Sequence, residues 1–147
     1  MRILGLDYGA KTVGVAVTDP LMLTAQCVTT ITREREDKLR RTFAQIESII
    51  AEYEVDTVVL GLPLNMDGTI GPRAQKTIDF HDALEKRLGM KVELMDERLT
   101  TVSARETLDE TGYSKDRKER KKVVDQLAAQ IILEDYMQRI KSEENYG

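Results

Sequence analysis

The chain has 147 residues, of which 41% are hydrophobic and 33% are charged, and its formal net charge is −4. This length and composition predict one globular domain over residues 1–147 and argue against a disordered or membrane-spanning protein. The single cysteine excludes an internal disulfide bond and a cysteine-based metal cluster, and the net negative charge argues against indiscriminate binding to nucleic acid.

The first residues carry no secretory signal, because only four apolar residues separate Arg2 from Asp7. We therefore expect a cytoplasmic protein that makes no contact with a membrane. The apolar residues of the stretch Arg2–Val17 predict two short strands, joined by a turn over residues 8–12. Asp7 lies inside the first of these strands and shares a face with Gly5.

The elements that follow are predicted from hydrophobic periodicity and from turn residues. We expect a third strand over 27–31, an amphipathic helix over 34–53, a strand over 55–60, a helix over 72–88, a strand over 91–95, a helix that starts near residue 100 and closes near 112, and a last helix over 117–140. Three consecutive strands indicate antiparallel pairing, and the later strand–helix alternation indicates parallel pairing. The fold class is therefore α/β, a ribonuclease H-like mixed five-stranded sheet with helices on both faces.

Four carboxylates, distant in sequence, are candidates for one site. A carboxylate inside a central strand, such as Asp7, is costly to bury without a cation or several N–H donors, although it could also end the strand and cap the turn. Asp96 and Glu97 follow a parallel strand, where α/β sheets place ligands, although a helix N-terminus also favours acids there. Asp125 lies on the apolar stripe of the last helix, beside two alanines, although an acid early in a helix also favours the dipole.

Clustered carboxylates without histidine or cysteine select hard cations, so the sequence predicts Mg²⁺ or Mn²⁺. Two such ions about 3.5–4 Å apart activate water and stabilise the leaving oxygen of a phosphodiester. The single His81 has no second histidine to complete a metal site or proton relay, which favours a structural role.

Basic residues near these acids could contact a phosphate backbone, although the run before Asp125 is also typical of a solvated helix start. Lys11 lies in the first turn and Arg98 follows Glu97, and the run before the last helix contains Lys115, Arg117, Lys118, Arg120, Lys121 and Lys122. Aromatic residues make up only 5% of the chain, so base stacking is not the expected mode of binding.

Four motifs, in this order, resemble the bacterial YqgF/RuvX family of Holliday-junction-resolvase-like proteins. They are DYGAK at residues 7–11 with GVA at 14–16, GLPLNMDG at 61–68, DERLT at 96–100 and DQLAA at 125–129. The resemblance covers essentially the whole chain. One departure is Thr12, where many members of the family have a basic residue, and it removes one candidate phosphate contact.

The resemblance implies a metal-dependent nuclease with a ribonuclease H-like fold. Asp7, Glu97 and Asp125 would be the catalytic, metal-binding acids, with Asp96 as an adjacent candidate. Lys11, Asn65 and Arg98 would face the substrate. The family is linked to 5′-end maturation of the small-subunit ribosomal RNA precursor, and earlier to Holliday junctions. We expect nucleic acid as partner, pre-16S rRNA before branched DNA, in the context of ribosomal precursor particles.

Two other functions remain open at this point. An actin-like ATPase or sugar kinase also uses an Asp-x-Gly turn, but it places its nucleotide between two such domains, and this chain predicts one. A non-catalytic RNA-binding factor for ribosome assembly would keep the fold without cleavage. The oligomeric state, the preferred metal and the choice between endonuclease and exonuclease do not follow from the sequence.

Overall fold

Strand β1 is the middle strand of a five-stranded sheet with the order β3-β2-β1-β4-β5. The computed structural model describes residues 1–97 and 117–146. The strands are β1 (Ile3–Tyr8), β2 (Thr12–Thr18), β3 (Ala25–Thr32), β4 (Thr57–Leu62) and β5 (Val92–Asp96). The helices are α1 (Arg40–Tyr53), α2 (Pro72–Leu88) and α3 (Arg117–Tyr146).

The sheet is mixed, as the sequence predicted. β1 pairs antiparallel with β2, and β2 pairs antiparallel with β3. On its other side β1 pairs parallel with β4, which pairs parallel with β5. Strands β1, β3, β4 and β5 therefore end at the same side of the sheet, which we call the carboxyl edge.

The two faces of the sheet bury separate apolar layers. Leu4 and Leu6 of β1 pack in the layer that contains Phe80 of α2 and Ile46 of α1. Ile3, on the opposite face, lies in the layer formed with α3. This layer includes Val59, Ala129, Ile132 and Leu133, all fully buried. The expected helices on both faces are thus confirmed, and full burial of each valine, leucine, isoleucine or phenylalanine side chain contributes about 1.5–3 kcal/mol.

Two predicted boundaries were wrong because tertiary contacts override local pattern. Helix α1 begins at Arg40 and not at residue 34. The Glu36 side chain instead accepts hydrogen bonds from Arg73 and Lys76 of α2, at 3.2 and 3.1 Å, and this holds the preceding segment outside the helix. Strand β4 begins at Thr57 and not at Val55, whose N–H donates to the Ile50 carbonyl of α1.

The remaining elements lie close to their predicted ranges. Helix α2 has the predicted bounds and ends at Gly89, whose φ of 66° is the left-handed conformation that glycine adopts without strain. Strand β3 is longer than predicted, β5 is shifted by one residue, and α3 continues to Tyr146. The helix predicted to close near residue 112 lies outside the described residues. No helix among the described residues is both long and apolar enough to cross a membrane.

Candidate active site

Asp7 lies near the carboxyl edge on the face that α3 covers. It is directly opposite Gly14 in the antiparallel pair with β2. On the other side, Leu6 pairs with Leu60, so the parallel register continues from Asp7 to Gly61. The half-buried carboxylate of the central strand therefore has a residue without a side chain on each side. Both glycines leave space on the face that Asp7 occupies.

Glu97 fills the space above Gly61. A Cβ atom added to Gly61 would lie 3.1 Å from Cδ of Glu97, and closer still to its Oε2. The backbone holds Glu97 in place, because its N–H donates to the Leu62 carbonyl at 3.1 Å. Only 4% of the Glu97 surface is exposed. The second predicted acid is thus a buried residue next to Asp7 across the sheet.

Asp125 of α3 occupies the equivalent space above Gly14. The backbone of α3 at Asp125 passes so close to Gly14 that an added Cβ would overlap the Asp125 carbonyl, and it would lie 3.1 Å from the Asp125 Cβ. Asp125 is 7% exposed, and its Oδ2 accepts a hydrogen bond of 2.6 Å from the Thr12 hydroxyl. The neighbouring Ala128 and Ala129 are fully buried and allow this close approach of helix and sheet.

Asp7, Glu97 and Asp125 therefore come together at one edge and on one face of the sheet, from β1, from the residue after β5 and from α3. Two of the three are nearly buried, and a buried carboxylate is costly unless positive charge or hydrogen bonds compensate it. The donors are oxygens only, which is the ligand chemistry of Mg²⁺ and Mn²⁺. These residues fit a hard divalent cation.

Asp96 does not join this group. It pairs with Leu62 in β5, whereas its neighbour Met95 pairs with Gly61. Met95 packs in the α3 layer, and because side chains alternate along a strand, Asp96 lies on the other face. The Asp96 side chain is exposed. Of the four predicted acids, the structure brings together three.

The predicted substrate-facing residues are placed only in part. Lys11 is exposed in the turn between β1 and β2. Asn65 is exposed in the loop after β4, where its side chain donates to the Thr69 hydroxyl at 2.9 Å and packs against Gly71. Arg98 and Lys115 lie outside the described residues. Three predicted basic residues, Arg117, Lys118 and Lys121, belong to the first turns of α3.

Thr12 is a site residue that the sequence reasoning missed. It was read as the loss of one phosphate contact, but it is 7% exposed and its hydroxyl donates to Asp125. In this chain, position 12 orients a carboxylate. A local pattern could not reveal this, because the hydrogen bond joins residues 113 positions apart.

His81 has the structural role predicted for it, at the opposite edge of the sheet. Its Nε2 lies 2.6 Å from the Val92 carbonyl oxygen, and its Nδ1 lies 2.9 Å from Oδ1 of Asp82. Both neighbours are acceptors, so the protonated ring satisfies both. Burial lowers the pKa of His81, but the hydrogen bonds to Asp82 and Val92 and the charges of Glu85 and Asp82 outweigh it, and the pKa is raised. His81, Asp82 and Glu85 also lie within metal-binding distance of one another, but a ring nitrogen that donates to a carbonyl has no lone pair for a metal.

The mixed five-stranded sheet with helices on both faces is the ribonuclease H-like fold, and three carboxylates converge at its carboxyl edge. A solved structure of this fold, T. thermophilus RuvC in complex with Holliday junction substrate, matches with a TM-score of 0.52 at 13% identity and covers 90% of this chain and 91% of that one. At this identity the likeness shows the fold alone.

The family is shown by closer matches. The family model described as RuvX, Holliday junction resolvase, matches residues 1–139, and the chain belongs to this family. A relative from Lachnospira eligens named "Putative pre-16S rRNA nuclease" is 58% identical over 138 residues, which are 94% of this chain and 97% of that protein. A relative of the same name from Agathobacter rectalis is 54% identical over 137 residues, 93% of this chain and 94% of that protein.

Proposed function

We propose that Asp7, Glu97 and Asp125 are the catalytic acids of this nuclease and that its substrate is the 5′ region of pre-16S rRNA. The observation that carries the proposal is the placement of Glu97 above Gly61 and Asp125 above Gly14, on either side of Asp7. The names of the relatives support the choice of RNA. The family match over residues 1–139 supports one nuclease domain over the whole chain.

Each residue has a separate task in this proposal. Asp7, on the central strand, would supply the carboxylate at the middle of the donor set that holds the divalent cation. Glu97 and Asp125 complete the oxygen donor set from the two sides, and the Thr12 hydroxyl fixes the orientation of Asp125. The three acids would hold one or two divalent ions, Mg²⁺ or Mn²⁺, which supply charge stabilisation and an activated water.

The chain's own residues determine what reacts. Among the described residues, His81 pairs with Asp82 and the Val92 carbonyl and with no nucleophilic side chain, so in this proposal the nucleophile is water and the protein is not covalently modified. The buried positions of Glu97 and Asp125 limit solvent at the site and strengthen electrostatic interactions there. Lys11 at the carboxyl edge would contact a neighbouring phosphate, and the exposed loop that contains Asn65 would face the strand.

Holliday junction DNA is the second candidate substrate, because the matching family model is described as a resolvase. Both substrates present a phosphodiester to the same carboxylates. The experiment incubates the wild type and Asp7→Asn with precursor ribosomal RNA, alone and in ribosomal precursor particles, and with a four-way DNA junction. Each reaction contains Mn²⁺, Mg²⁺ or EDTA.

We expect metal-dependent cutting of the RNA by the wild type, reduced by at least about 10³-fold in Asp7→Asn because the transition-state charge loses its support. Cutting of the junction alone would replace RNA by DNA in the proposal. Full activity of a correctly folded Asp7→Asn protein would refute the assignment of the acids. Binding of RNA without cleavage by the wild type would favour an assembly factor.

A further inference from the structure

A basic groove lies where β3 runs into α1. It has a volume of about 930 Å³ and is lined by residues of the end of β3, of the segment 33–39 and of the first turns of α1. Four basic side chains, Arg33, Lys38, Arg40 and Arg41, line it together with only two acidic ones, Glu34 and Asp37. The groove is therefore locally positive in a chain whose net charge is −4.

The groove lies at the carboxyl edge, on the β3 side of the candidate catalytic acids. Thr12, whose hydroxyl holds Asp125, pairs with Thr32, the last residue of β3 and part of the groove lining. The Arg33 N–H donates to the Lys11 carbonyl at 2.8 Å. Neighbouring strands are about 4.8 Å apart, so two strand spacings, roughly 10 Å, separate Asp7 from the β3 side of the sheet. A few nucleotides of a polynucleotide strand are long enough to span this distance.

Contacts of the Arg33 and Glu36 side chains fix the walls of the groove and leave Lys38, Arg40 and Arg41 out. The Arg33 guanidinium donates to the Gly9 carbonyl at 2.6 Å and lies 4.9 Å from the centre of the Tyr8 ring. Glu36, in the middle of the segment, turns away from the groove and binds Arg73, Lys76 and the Tyr8 hydroxyl, the last at 3.2 Å. The Glu36 carboxylate is therefore occupied outside the groove, whereas Glu34 and Asp37 line it.

Three of the basic side chains in the groove are not paired with acidic side chains of the described residues. Among the residues whose side chains the structure describes, Lys38, Arg40 and Arg41 form no ion pair with a carboxylate. Arg40 and Arg41 also occupy the first turn of α1, where basic residues oppose the helix dipole at a cost of about 0.3–1 kcal/mol each. An exposed, unfavourable pair of charges on a fixed wall is explained by a polyanionic ligand.

We propose that this groove binds the sugar-phosphate backbone of the RNA strand beyond the scissile bond. The inference rests on the proposed function, because it takes the three carboxylates as the place of cleavage. The ligand would be recognised through phosphate charge, since none of the described residues that line the groove is aromatic.

The test measures RNA binding in the absence of cleavage. The Asp7→Asn protein in EDTA is titrated into a fluorescently labelled single-stranded RNA that covers the precursor cleavage region, over a series of salt concentrations. The same measurement is made after adding Arg40→Gln and Arg41→Gln. The matched control adds Lys86→Gln and Lys141→Gln, which remove two exposed charges near the opposite edge of the sheet. Thermal unfolding of all variants checks the fold.

The arginine changes should raise the Kd for RNA about tenfold and reduce the slope of log K against log salt by about 0.7 for each lost phosphate contact. The lysine changes should leave the slope unchanged. A Kd and slope equal to those of the lysine control would overturn the proposal.

Cleavage assays separate this proposal from the proposed function. With Asp7 restored, Arg40→Gln/Arg41→Gln should raise KM and leave kcat unchanged, because the groove is remote from the acids. If the wild type cuts no RNA and the arginine changes still weaken RNA binding, the proposed function fails and the groove stands. If the wild type cuts RNA and the arginine changes alter neither KM nor binding, the groove fails and the proposed function stands.

Discussion

Substitution of Gly61 by alanine should slow catalysis while keeping the fold. The added Cβ would lie 2.5 Å from Cδ1 of Ile132 and closer to Oε2 of Glu97, whereas ordinary contact begins at 3.4 Å. Both groups are the far ends of flexible side chains, so they retreat by about 1 Å and the backbone stays in place. Overpacking of this size costs about 1–3 kcal/mol in the free energy of unfolding.

The cleavage rate should fall by more than the small loss in the free energy of unfolding would suggest. Misplacement of a catalytic group by about 1 Å costs roughly 10²-fold in rate, which is about 2.7 kcal/mol of activation free energy. The assay is single-turnover cleavage of precursor RNA, together with urea-induced unfolding. Gly89→Ala is the control. The added Cβ has no atom within 4 Å, but the left-handed backbone conformation of Gly89 is strained for alanine. This variant should therefore lower the free energy of unfolding and leave the cleavage rate unchanged.

The reasoning also predicts non-additivity. If Gly61→Ala acts through Glu97, it should reduce cleavage no further in a Glu97→Gln protein, because the displaced group is already inactive. A Gly61→Ala protein that cuts RNA at the wild-type rate would refute the placement of Glu97 in the site. A loss of rate that persists unchanged in the Glu97→Gln background would show that the alanine acts through another group, such as Ile132.

Two further predictions concern residues on either side of the site. Thr12→Val removes the hydroxyl that donates to Asp125 and should lower kcat by about 10- to 100-fold, since a hydrogen bond to a charged group contributes about 1.5–3 kcal/mol. Thr12→Ser keeps the donor and should restore most of the rate; equal loss in both variants would contradict this role. His81, whose pKa is raised on folding, should stabilise the protein fully below its ordinary pKa of 6.5 and lose this effect as the pH rises through the raised value. The difference in unfolding free energy between the wild type and His81→Gln, about 1 kcal/mol at low pH, should therefore shrink toward alkaline pH, and a difference that grows with pH would contradict the assignment.

The sequence predicted those elements whose pattern is local. Helix α2 was correct at both ends because Pro72 suits its first turn and Gly89 ends it. The mixed pairing of the sheet was predicted from the three consecutive strands and the later strand–helix alternation. The start of α1 was missed because residues 34–39 have helix-forming composition, and only the contacts of Glu36 with α2, 37 and 40 residues away, show why they form no helix.

The site was predictable only in its acids. The carboxylate of Asp7 stands out in an apolar strand, Asp125 lies on a packed helical stripe, and Glu97 was assigned through the family resemblance. The sequence could not predict that positions 14 and 61 require glycine. The atoms that exclude a side chain there come from α3 and from the residue after β5, which are distant in sequence. Asp96 was included through its position beside Glu97, and the alternation of β5 separates the two.

The charge distribution explains how an acidic chain can act on a polyanion. Three carboxylates on one face would repel a phosphate backbone unless cations neutralise them, and the net charge of −4 adds to this repulsion at long range. The basic groove lies one strand beyond Thr12, on the side of α1. An RNA strand bound in the proposed groove would be held by the local positive charge, which acts within a Debye length of about 10 Å at 0.1 M salt, while the net negative charge would disfavour binding elsewhere. The proposed groove and the three carboxylates place positive and negative charge side by side at the carboxyl edge. Binding of RNA there, in preference to the rest of the surface, should therefore weaken as the salt concentration rises.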